Sequence, residues 1–395
     1  MKENKKLEYK EKINDSFLKT VSAYANYDGG SVLFGINDSG EVVGVDDIEH
    51  KCLDIENKIN DTIMPQPNYS LDVINSGKVI HLKVNSGDKK PYMYKGKAYR
   101  RNDTSTIEVD LIELKRLILA GENKNFEELP SHNQELKFSY LEKELIEKTG
   151  IKKLSMDILR TLDLYSDREG YNNAAAIVAD NNFFNGIDIA KFGETISIFQ
   201  KRKNLEKQSI IKSFFDAVEL FKDYFQYEII DGTERKCVEL IPEEAFREAL
   251  ANAIVHRVWD VNSQIRVSMF DDRVEIVSAG GLPDSVSIEN YLSGDLSVLR
   301  NPILANLFHR LKLIEKYGTG IRRIKDAYAN SQTKPSFVIL DTCIKVILPV
   351  LIYNMNLSDD ELLVYRTLSK NINKPISEIM EYSEEIQKIH KLKSN

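Results

Sequence analysis

The chain has 395 residues, of which 42% are hydrophobic and 29% charged, so its composition is that of a soluble globular protein and its length predicts two or three domains. The formal net charge of −7 argues against nucleic-acid binding through bulk electrostatics, so any such contact must be local. The N-terminal residues lack the apolar core of a secretory signal, and no apolar run is long enough to predict a membrane-spanning helix.

Cysteine usage gives a further constraint. Cys52, Cys237 and Cys343 are too far apart for a disulfide framework or a zinc site. We therefore expect a reducing, cytoplasmic environment, with all three cysteines buried as small hydrophobic residues.

The first hundred residues alternate between helix and strand patterns. Apolar residues at helical spacing predict a helix over 13–26, which ends at Gly29 and is followed by a strand over 31–36. The turn residues 37–40 predict a hairpin with a returning strand over 41–45. The sequence then predicts a helix over 47–63, strands over 69–74, 79–84 and 97–101, and helical structure from residue 110.

The second half is helical first and mixed later. Residues 120–150 are rich in Glu, Lys and Asn and are interpreted as a linker into a helical segment. Helices are predicted over 154–164, 210–227, 242–258 and 302–311, and strands over 264–270, 273–278 and 343–349. The last residues, 358–390, read as short helices. The predicted fold class is α+β.

The helix predicted over 242–258 carries a polar stripe. Glu248, Asn252 and His256 lie at i, i+4 and i+8, which places a carboxylate, an amide and an imidazole on one face. An amide oxygen can ligate Mg²⁺ and a carboxylate can orient an attacking water. The alternative is an ordinary solvated helix face, and the stripe alone does not decide between the two.

Two glycine loops follow this helix. Gly280 and Gly281 come after a predicted strand, and Gly318, Thr319 and Gly320 open a predicted helix. Such loops let backbone amides approach phosphates closely. The candidate side chains for phosphate oxygens are Arg300, Arg322 and Arg323.

The order of these motifs resembles the histidine-kinase/gyrase/MutL type of ATPase domain. It is closer to the divergent version found in bacterial proteins regarded as transcriptional regulators; the matching segments are 246–257, 280–283, 300–302 and 318–321. The resemblance implies a two-layer α/β sandwich that binds ATP and Mg²⁺ beneath a mobile lid, and a homodimer. Glu248 matches the catalytic glutamate and Asn252 the magnesium ligand. Ser278 and Ala279 stand where the wider family has an adenine-binding aspartate, which leaves base preference and ATP hydrolysis open.

The N-terminus offers a second constellation. Glu8 and Lys10 lie two residues apart, Glu3 precedes them, and Asp38 lies in the predicted turn. Three converging carboxylates would suit Mg²⁺ or Mn²⁺ that activates water against a phosphodiester. The alternative is that Glu3 and Asp38 are ordinary surface residues.

The surrounding sequence resembles the Schlafen-type AlbA domain. The resemblance covers about residues 3–110 through the segments 7–10, 25–30, 34–40, 43–45 and 99–104. It implies either the DNA-binding domain of a bacterial regulator or, as in animal Schlafens, a three-carboxylate ribonuclease site, with Glu3, Glu8 and Asp38 at consistent positions. The candidates for contacts with DNA or RNA phosphates are Lys10, Lys95, Lys97, Arg100 and Arg101, with tyrosines 92, 94 and 99 available to stack on bases. A solvated edge strand is the alternative explanation of this basic run.

Together these patterns predict an AlbA-like α/β domain over 1–120, a helical connector over 121–240, an ATPase-like domain over 241–352 and a short helical tail over 353–395. Residues 358–383 of the tail resemble the opening of a winged helix-turn-helix. The leading hypothesis is an ATP-binding, nucleic-acid-binding regulator whose nucleotide state controls the N-terminal domain or the oligomer. The alternatives are a metal-dependent ribonuclease with the ATPase-like domain as sensor, and a non-catalytic scaffold.

Overall fold

The computed structural model describes residues 2–75, 78–231, 234–283, 286–294, 298–314 and 319–352. The chain divides into two compact units, Met1–Leu129 and Pro130–Asn395. Gly318 and the predicted winged-helix segment of the tail lie outside the described residues.

The first unit is an α/β domain. Its strands are β1 (Leu7–Lys10), β2 (Gly30–Phe34), β3 (Ile63–Met64), β4 (Tyr69–Ile74), β5 (Val79–Val84), β6 (Met93–Tyr94), β7 (Tyr99–Asn102) and β8 (Ser105–Glu108). Its helices are α1 (Phe17–Asn26), α2 (Ile48–Thr62) and α3 (Leu111–Gly121), with a 3-10 turn at Phe126–Glu128. The main sheet has the order β1-β2-β5-β4, in which β1 runs parallel to β2 and the other pairs are antiparallel.

The core of this unit forms because α1 is buried along almost its whole length against the sheet. Phe17 of α1 meets Phe34 of β2 edge-on, with ring centroids 5.2 Å apart. Phe17 lies in the helix and Phe34 in the strand that the apolar periodicity predicted here. The predictions for α2, β4 and β5 are confirmed to within a residue or two.

The predicted returning strand over 41–45 is wrong. Only one bridge, between Ile36 and Val42, forms after the turn. The amides of Val43 and Gly44 both donate to the carbonyl of Gly35, at 2.9 Å each, so the backbone folds back on Gly35 instead of continuing a ladder. Gly35 itself has φ +90°, a conformation that glycine adopts without strain.

The second unit contains helices on one large sheet and several smaller elements. Its helices are α4 (Ser139–Thr149), α5 (Met156–Thr161), α6 (Asn173–Val178), α7 (Ile210–Phe225), α8 (Glu243–Val255), α9 (Ile288–Ser293), α10 (Pro302–Arg310) and α11 (Gly320–Asp326). Its strands are β9 (Tyr165–Ser166), β10 (Gly170–Tyr171), β11 (Ile187–Phe192), β12 (Phe199–Leu205), β13 (Gln226–Asp231), β14 (Glu234–Glu239), β15 (Ile265–Met269), β16 (Arg273–Ala279), β17 (Ser336–Ile339) and β18 (Cys343–Pro349).

The large sheet has six strands in the order β12-β11-β15-β16-β18-β17. β11 runs parallel to β15, and the other neighbours are antiparallel. Alternate residues of the central strands, such as Val267, Ile276 and Leu348, are buried. Helices α7 and α8 are joined by the stacked rings of Phe221 and Phe246, 4.0 Å apart.

Two of the six strands come from residues that the sequence analysis assigned to the connector. The last of them, β12, has six of its seven residues exposed and therefore lacks the alternation that marks a half-buried strand. Its pairing with β11 and that of β11 with β15 place residues 187–205 in the same sheet as the ATPase-like segment. The fold class is α+β, as predicted.

None of the described helices is long and apolar enough to cross a membrane. The prediction of three buried cysteines is wrong, since Cys52 and Cys343 are half-buried and Cys237 is exposed. Cys237 is exposed because it lies on the β13–β14 hairpin, most of whose side chains face solvent.

Candidate functional site

The polar stripe of α8 lies in the second unit. Glu248 is 6% exposed, and its Oε1 accepts a hydrogen bond from Nδ2 of Asn252 at 3.3 Å. The two side chains therefore share one face of the helix, as their spacing predicts. Because Glu248 is buried, this face is not the solvated helix surface that was the alternative interpretation.

Gly320 lies against this pair. A Cβ on Gly320 would stand 2.3 Å from Oε1 of Glu248 and 2.6 Å from Nδ2 of Asn252, closer than a Cβ atom approaches such atoms in real structures. Glycine therefore lets the start of α11 lie against α8 without displacing the ends of these two side chains. The structure thus brings the end of the second glycine loop onto the Glu248–Asn252 pair, with Thr319 immediately before it.

A cleft opens beside these groups. Its empty volume is about 1210 Å³, which includes space open to solvent. Ile276 and Val346 of the sheet form part of its apolar floor, and its polar lining includes Glu248, Asn252, His256, Ser278, Tyr291, Arg300, Asn306 and His309. A concave, mostly apolar site with a few polar groups is typical of small-molecule sites.

The first glycine loop forms another wall of the cleft. Gly280 has φ +104°, and a Cβ there would stand 2.5 Å from Nη1 of Arg300. Gly281 faces the backbone of Asp341, whose carbonyl oxygen would lie 2.5 Å from an added Cβ. Both glycines are therefore required by close packing.

Arg300 ties two walls of the cleft together. Its Nη1 donates to the carbonyl of His256 at 2.9 Å, and its Nη2 donates to the carbonyl of Gly281 at 3.0 Å. These bonds join the C-terminal end of α8 to the first glycine loop. The guanidinium lines the cleft, and it donates to backbone carbonyls, with which a phosphate would have to compete.

His256 is held in an uncharged state. Burial, followed by the positive charge of Arg300, lowers the pKa of His256 to about 4. At neutral pH the imidazole can therefore offer a hydrogen bond to a ligand in the cleft but no positive charge.

The α11 helix also reaches α9. Nε of Arg322 donates to the carbonyl of Ser293 at 3.0 Å, and Nζ of Lys325 donates to the carbonyl of Leu292 at 2.6 Å. The cations of α11 thus bind the C-terminal carbonyls of a short helix that contributes Tyr291 to the cleft.

Sequence reasoning missed several cleft residues. Asn306 and His309 line the cleft from α10, and neither was named as a candidate site residue from the sequence. Their i, i+3 spacing on an otherwise apolar helix is the signal that could have indicated a shared polar face. Ser278 also lines the cleft, and its hydroxyl donates to the carbonyl of Ala253 at 2.7 Å.

In the first unit, Glu8 is the centre of a buried ion-pair network. Its Oε1 lies 2.7 Å from Nζ of Lys10, and its Oε2 pairs with Nη1 of Arg101 and accepts from the hydroxyl of Thr20 at 2.7 Å. Arg101 also donates to the hydroxyl of Thr106 at 2.9 Å. The side chains of Arg101 and Glu8 are 4% and 6% exposed, so this pair is almost removed from water.

The structure does not bring the three N-terminal carboxylates together. Glu3 lies near Glu8 and accepts from the amide of Tyr9 at 2.7 Å, but Asp38 is exposed in the turn after β2. Within the described ranges, no group of three His, Cys, Asp or Glu side chains could hold a metal ion. The expectation that Glu3, Glu8 and Asp38 converge on a metal therefore finds no support in the geometry.

The basic side chains expected to contact nucleic acid fall into two groups, those engaged by Glu8 and those exposed to solvent. Arg101 is buried against Glu8, which argues against the expected phosphate contact, and Lys10 is engaged by the same carboxylate. Lys95, Lys97 and Arg100 are exposed; Lys97 pairs with Glu108 at 2.7 Å and Arg100 with Glu113 at 3.3 Å. The expectation of stacking tyrosines is wrong, because all of them are buried in the core: Tyr92, Tyr94 and Tyr99.

The two units of the chain resemble two different protein families. Residues 3–110 match the family model described as "Schlafen, AlbA_2". Residues 262–348 match the family HATPase_c_4, described as "Putative ATP-dependent DNA helicase recG C-terminal". No curated protein matches the chain.

Of two solved structures that match the chain, one supports a likeness of fold. The crystal structure of the DIP2311 protein from Corynebacterium diphtheriae is 19% identical, covers 88% of this chain and 76% of that chain, and gives a TM-score of 0.51, which supports a shared fold alone. The N-terminal domain of the "Putative ATP-dependent DNA Helicase RecG-related Protein" from Nitrosomonas europaea is 26% identical over 27% of this chain and 82% of that chain, with a TM-score of 0.20. The chain therefore joins a Schlafen AlbA_2 domain at its N-terminus to a recG-like, ATPase-type domain of the HATPase_c_4 family at its C-terminus.

Proposed function

We propose that this chain is a regulatory protein that binds ATP with Mg²⁺ in the cleft of the second unit and nucleic acid through the first. Nucleotide occupancy would control either the affinity of the N-terminal domain for nucleic acid or the oligomeric state of the chain. The observation that carries the proposal is the convergence of Glu248, Asn252 and Gly320, in which a glycine backbone lies against a buried carboxylate–amide pair.

The cleft residues fit a nucleotide with its metal. Nδ2 of Asn252 donates to Glu248, which leaves Oδ1 of Asn252 as the oxygen that would ligate Mg²⁺. Mn²⁺ accepts the same kind of oxygen ligand and would substitute for it. When bound, the metal supplies the positive charge that phosphates require. Since His256 is uncharged at neutral pH, this contribution from the metal matters all the more.

Glu248 suggests a slow ATPase activity. It is the only acidic side chain among the described residues that line the cleft. A buried carboxylate of this kind can orient a water molecule for attack. Ser278, whose hydroxyl is engaged by the carbonyl of Ala253, offers no carboxylate to select an adenine amino group.

The exposed cations of the first unit support nucleic-acid binding. Lys95, Lys97 and Arg100 face solvent, and the carboxylates that pair with the latter two lie near the surface. Ion pairs between exposed side chains contribute little free energy, so phosphates can replace these carboxylates. A local patch of this kind is compatible with the acidic net charge of the chain.

Calorimetry tests the nucleotide half of the proposal. ATP should bind the full chain in Mg²⁺, and Asn252→Ala should weaken that binding on the order of tenfold or more. Asn306→Ala is the matched control, because it removes an amide from the same cleft but from α10. Absence of binding, or equal binding by Asn252→Ala, would refute the proposal.

Gel assays test the nucleic-acid half. The full chain is incubated with labelled tRNA, single-stranded RNA and duplex DNA in Mg²⁺ or Mn²⁺, with and without ATP. A shift on a native gel that ATP alters, and that Lys95→Glu weakens, supports the nucleotide-controlled binder. Nucleic-acid binding that ATP leaves unchanged would show that the two units act independently and would refute the proposed regulation by nucleotide.

The contacts of Glu8 favour binding over the ribonuclease alternative. A carboxylate already paired with Lys10 and Arg101 has little capacity left for a metal. The same incubations on denaturing gels decide the matter. Cleavage that disappears in Glu8→Gln would establish the ribonuclease instead.

A further inference from the structure

The β13–β14 hairpin is exposed on both faces. Tyr227, Ile229 and Ile230 are 49%, 41% and 76% exposed, and Arg235, Lys236 and Cys237 on the other strand are exposed as well. The two strands pair only with each other in the part of the chain that the structure describes. The hairpin also contributes no residue to the described lining of the cleft.

Such a hairpin lacks the usual sources of stability. Two strands alone are marginally stable in water, and a third strand or a packed face is normally required. A free strand edge is a template for pairing with another chain. We propose that the outer edge of β14 pairs antiparallel with the same edge of a second copy of this chain, which makes a four-stranded sheet across a two-fold axis.

The side chains of the hairpin divide between two faces of the sheet. Tyr227 lies opposite Val238, and Ile229 lies opposite Lys236, so these residues share one face. For a two-fold axis perpendicular to the sheet, the apolar faces of both copies lie on the same side. Tyr227, Ile229 and Val238 of each copy then lie on that side of the sheet, and Lys236 lies beside Val238 of the second copy at the seam.

Charge complementarity selects the centre of the pairing. Centring the axis on Lys236 would place lysine opposite lysine, which is unfavourable. Centring it on Cys237 places Arg235 opposite Glu239 of the second copy, twice by symmetry. Cys237 then faces its own counterpart.

The observed contacts suit this register. Glu239 is held at the base of the hairpin, where its Oε2 accepts from the amide of Glu243 at 3.0 Å. Its carboxylate is thus positioned in advance and retains capacity for a further donor. The side chain of Arg235 is 76% exposed and lies 3.5 Å from Glu228, also exposed, so it can turn toward a second copy. The same edge supplies both members of the pair, which is the property of a self-complementary interface.

Charge reversal is the first test, made by sedimentation over a concentration series without nucleotide, so that failure of ATP binding would not affect it. The wild-type chain should dimerise, and Arg235→Glu should weaken dimerisation on the order of tenfold, because it places glutamate opposite Glu239 twice. Lys236→Glu is the matched control: it makes the same charge change on the same strand but faces Val238 of the second copy. A monomeric wild-type chain, or equal effects of the two variants, would overturn the proposal.

Oxidative cross-linking is the second test. Residues facing each other across an antiparallel pair have Cα atoms about 5 Å apart, within the range of a disulfide. A mild thiol oxidant should therefore link the wild-type chain as a covalent dimer and leave Cys237→Ser unlinked. Ile230→Cys in the Cys237→Ser background serves as control, because residue 230 lies on the far strand, beyond bonding reach of its counterpart. Equal cross-linking through position 230 would indicate random collision and reject the register.

Discussion

Removing Arg101 should destabilise the first unit strongly, although its charge lies in a run that resembles a surface patch. Arg101 and Glu8 are both buried, so Arg101→Met leaves the Glu8 carboxylate out of water with one partner fewer. Breaking a buried pair from one side costs about 3–5 kcal/mol. Lys10 and Thr20 still contact Glu8, so we expect the lower end, about 3 kcal/mol.

Matched variants separate this effect from a general loss of charge. Lys97→Met removes a cation of the same run whose partner, Glu108, is exposed, and should cost less than about 1 kcal/mol. The double variant Arg101→Met/Glu8→Met removes both buried charges and should be more stable than Arg101→Met alone.

Peptide-resolved hydrogen exchange measures the effect within each unit. A loss of about 3 kcal/mol speeds exchange of the protected amides of β1 and α1 on the order of a hundredfold. The one tryptophan, Trp259, is buried in the second unit, so its fluorescence should not change and serves as an internal control. Equal exchange in Arg101→Met and Lys97→Met would refute the argument that the buried pair stabilises the fold.

Three further outcomes follow from the geometry. Gly320→Ala should weaken ATP binding in calorimetry while Trp259 fluorescence stays unchanged, because its methyl group would displace the Glu248 carboxylate and the Asn252 amide; undiminished binding would contradict this packing. The folded-state pKa of His256, about 4, lies below its unfolded value, so its contribution to stability is complete above about pH 6.5 and declines as the pH falls toward 4. Thermal unfolding of His256→Gln should therefore lose less between pH 7 and pH 5 than the wild type, and parallel losses would disprove the assignment. Gly30→Ala should destabilise the first unit by about 1–3 kcal/mol in hydrogen exchange, since its Cβ would stand 2.5 Å from the Tyr24 ring, and an unchanged exchange rate would count against this packing.

Local patterns predicted much of the fold. The strands β4, β5 and β18 follow from apolar alternation between turn residues, and α8 from its helical spacing. The same spacing predicted that Glu248 and Asn252 share a face, because positions i and i+4 of a helix are neighbours whatever the tertiary structure. That part of the candidate site is local, and it could be predicted.

Tertiary burial decided what the sequence could not indicate. Glu8 and Arg101 are 93 residues apart, and their pairing depends on how β7 packs against α1. The tyrosines of the basic run alternate with lysines in a way that suits a surface strand, yet they are buried: Tyr92, Tyr94 and Tyr99. The charge state of His256 likewise depends on burial and on Arg300, which is distant in sequence.

The pairing of β11 with β15 bears on how such a chain evolves. Sequence likeness to the ATPase-type family begins at residue 262, but the sheet in this chain already includes residues 187–205. A fragment cut at the start of that likeness would leave β15 as a bare edge, with Ile265, Val267 and Met269 deprived of the neighbouring strand. The segment with sequence likeness to the family therefore begins later in the chain than the sheet to which it belongs. Recombination that preserves this fold must carry the upstream strands along with the nucleotide motifs.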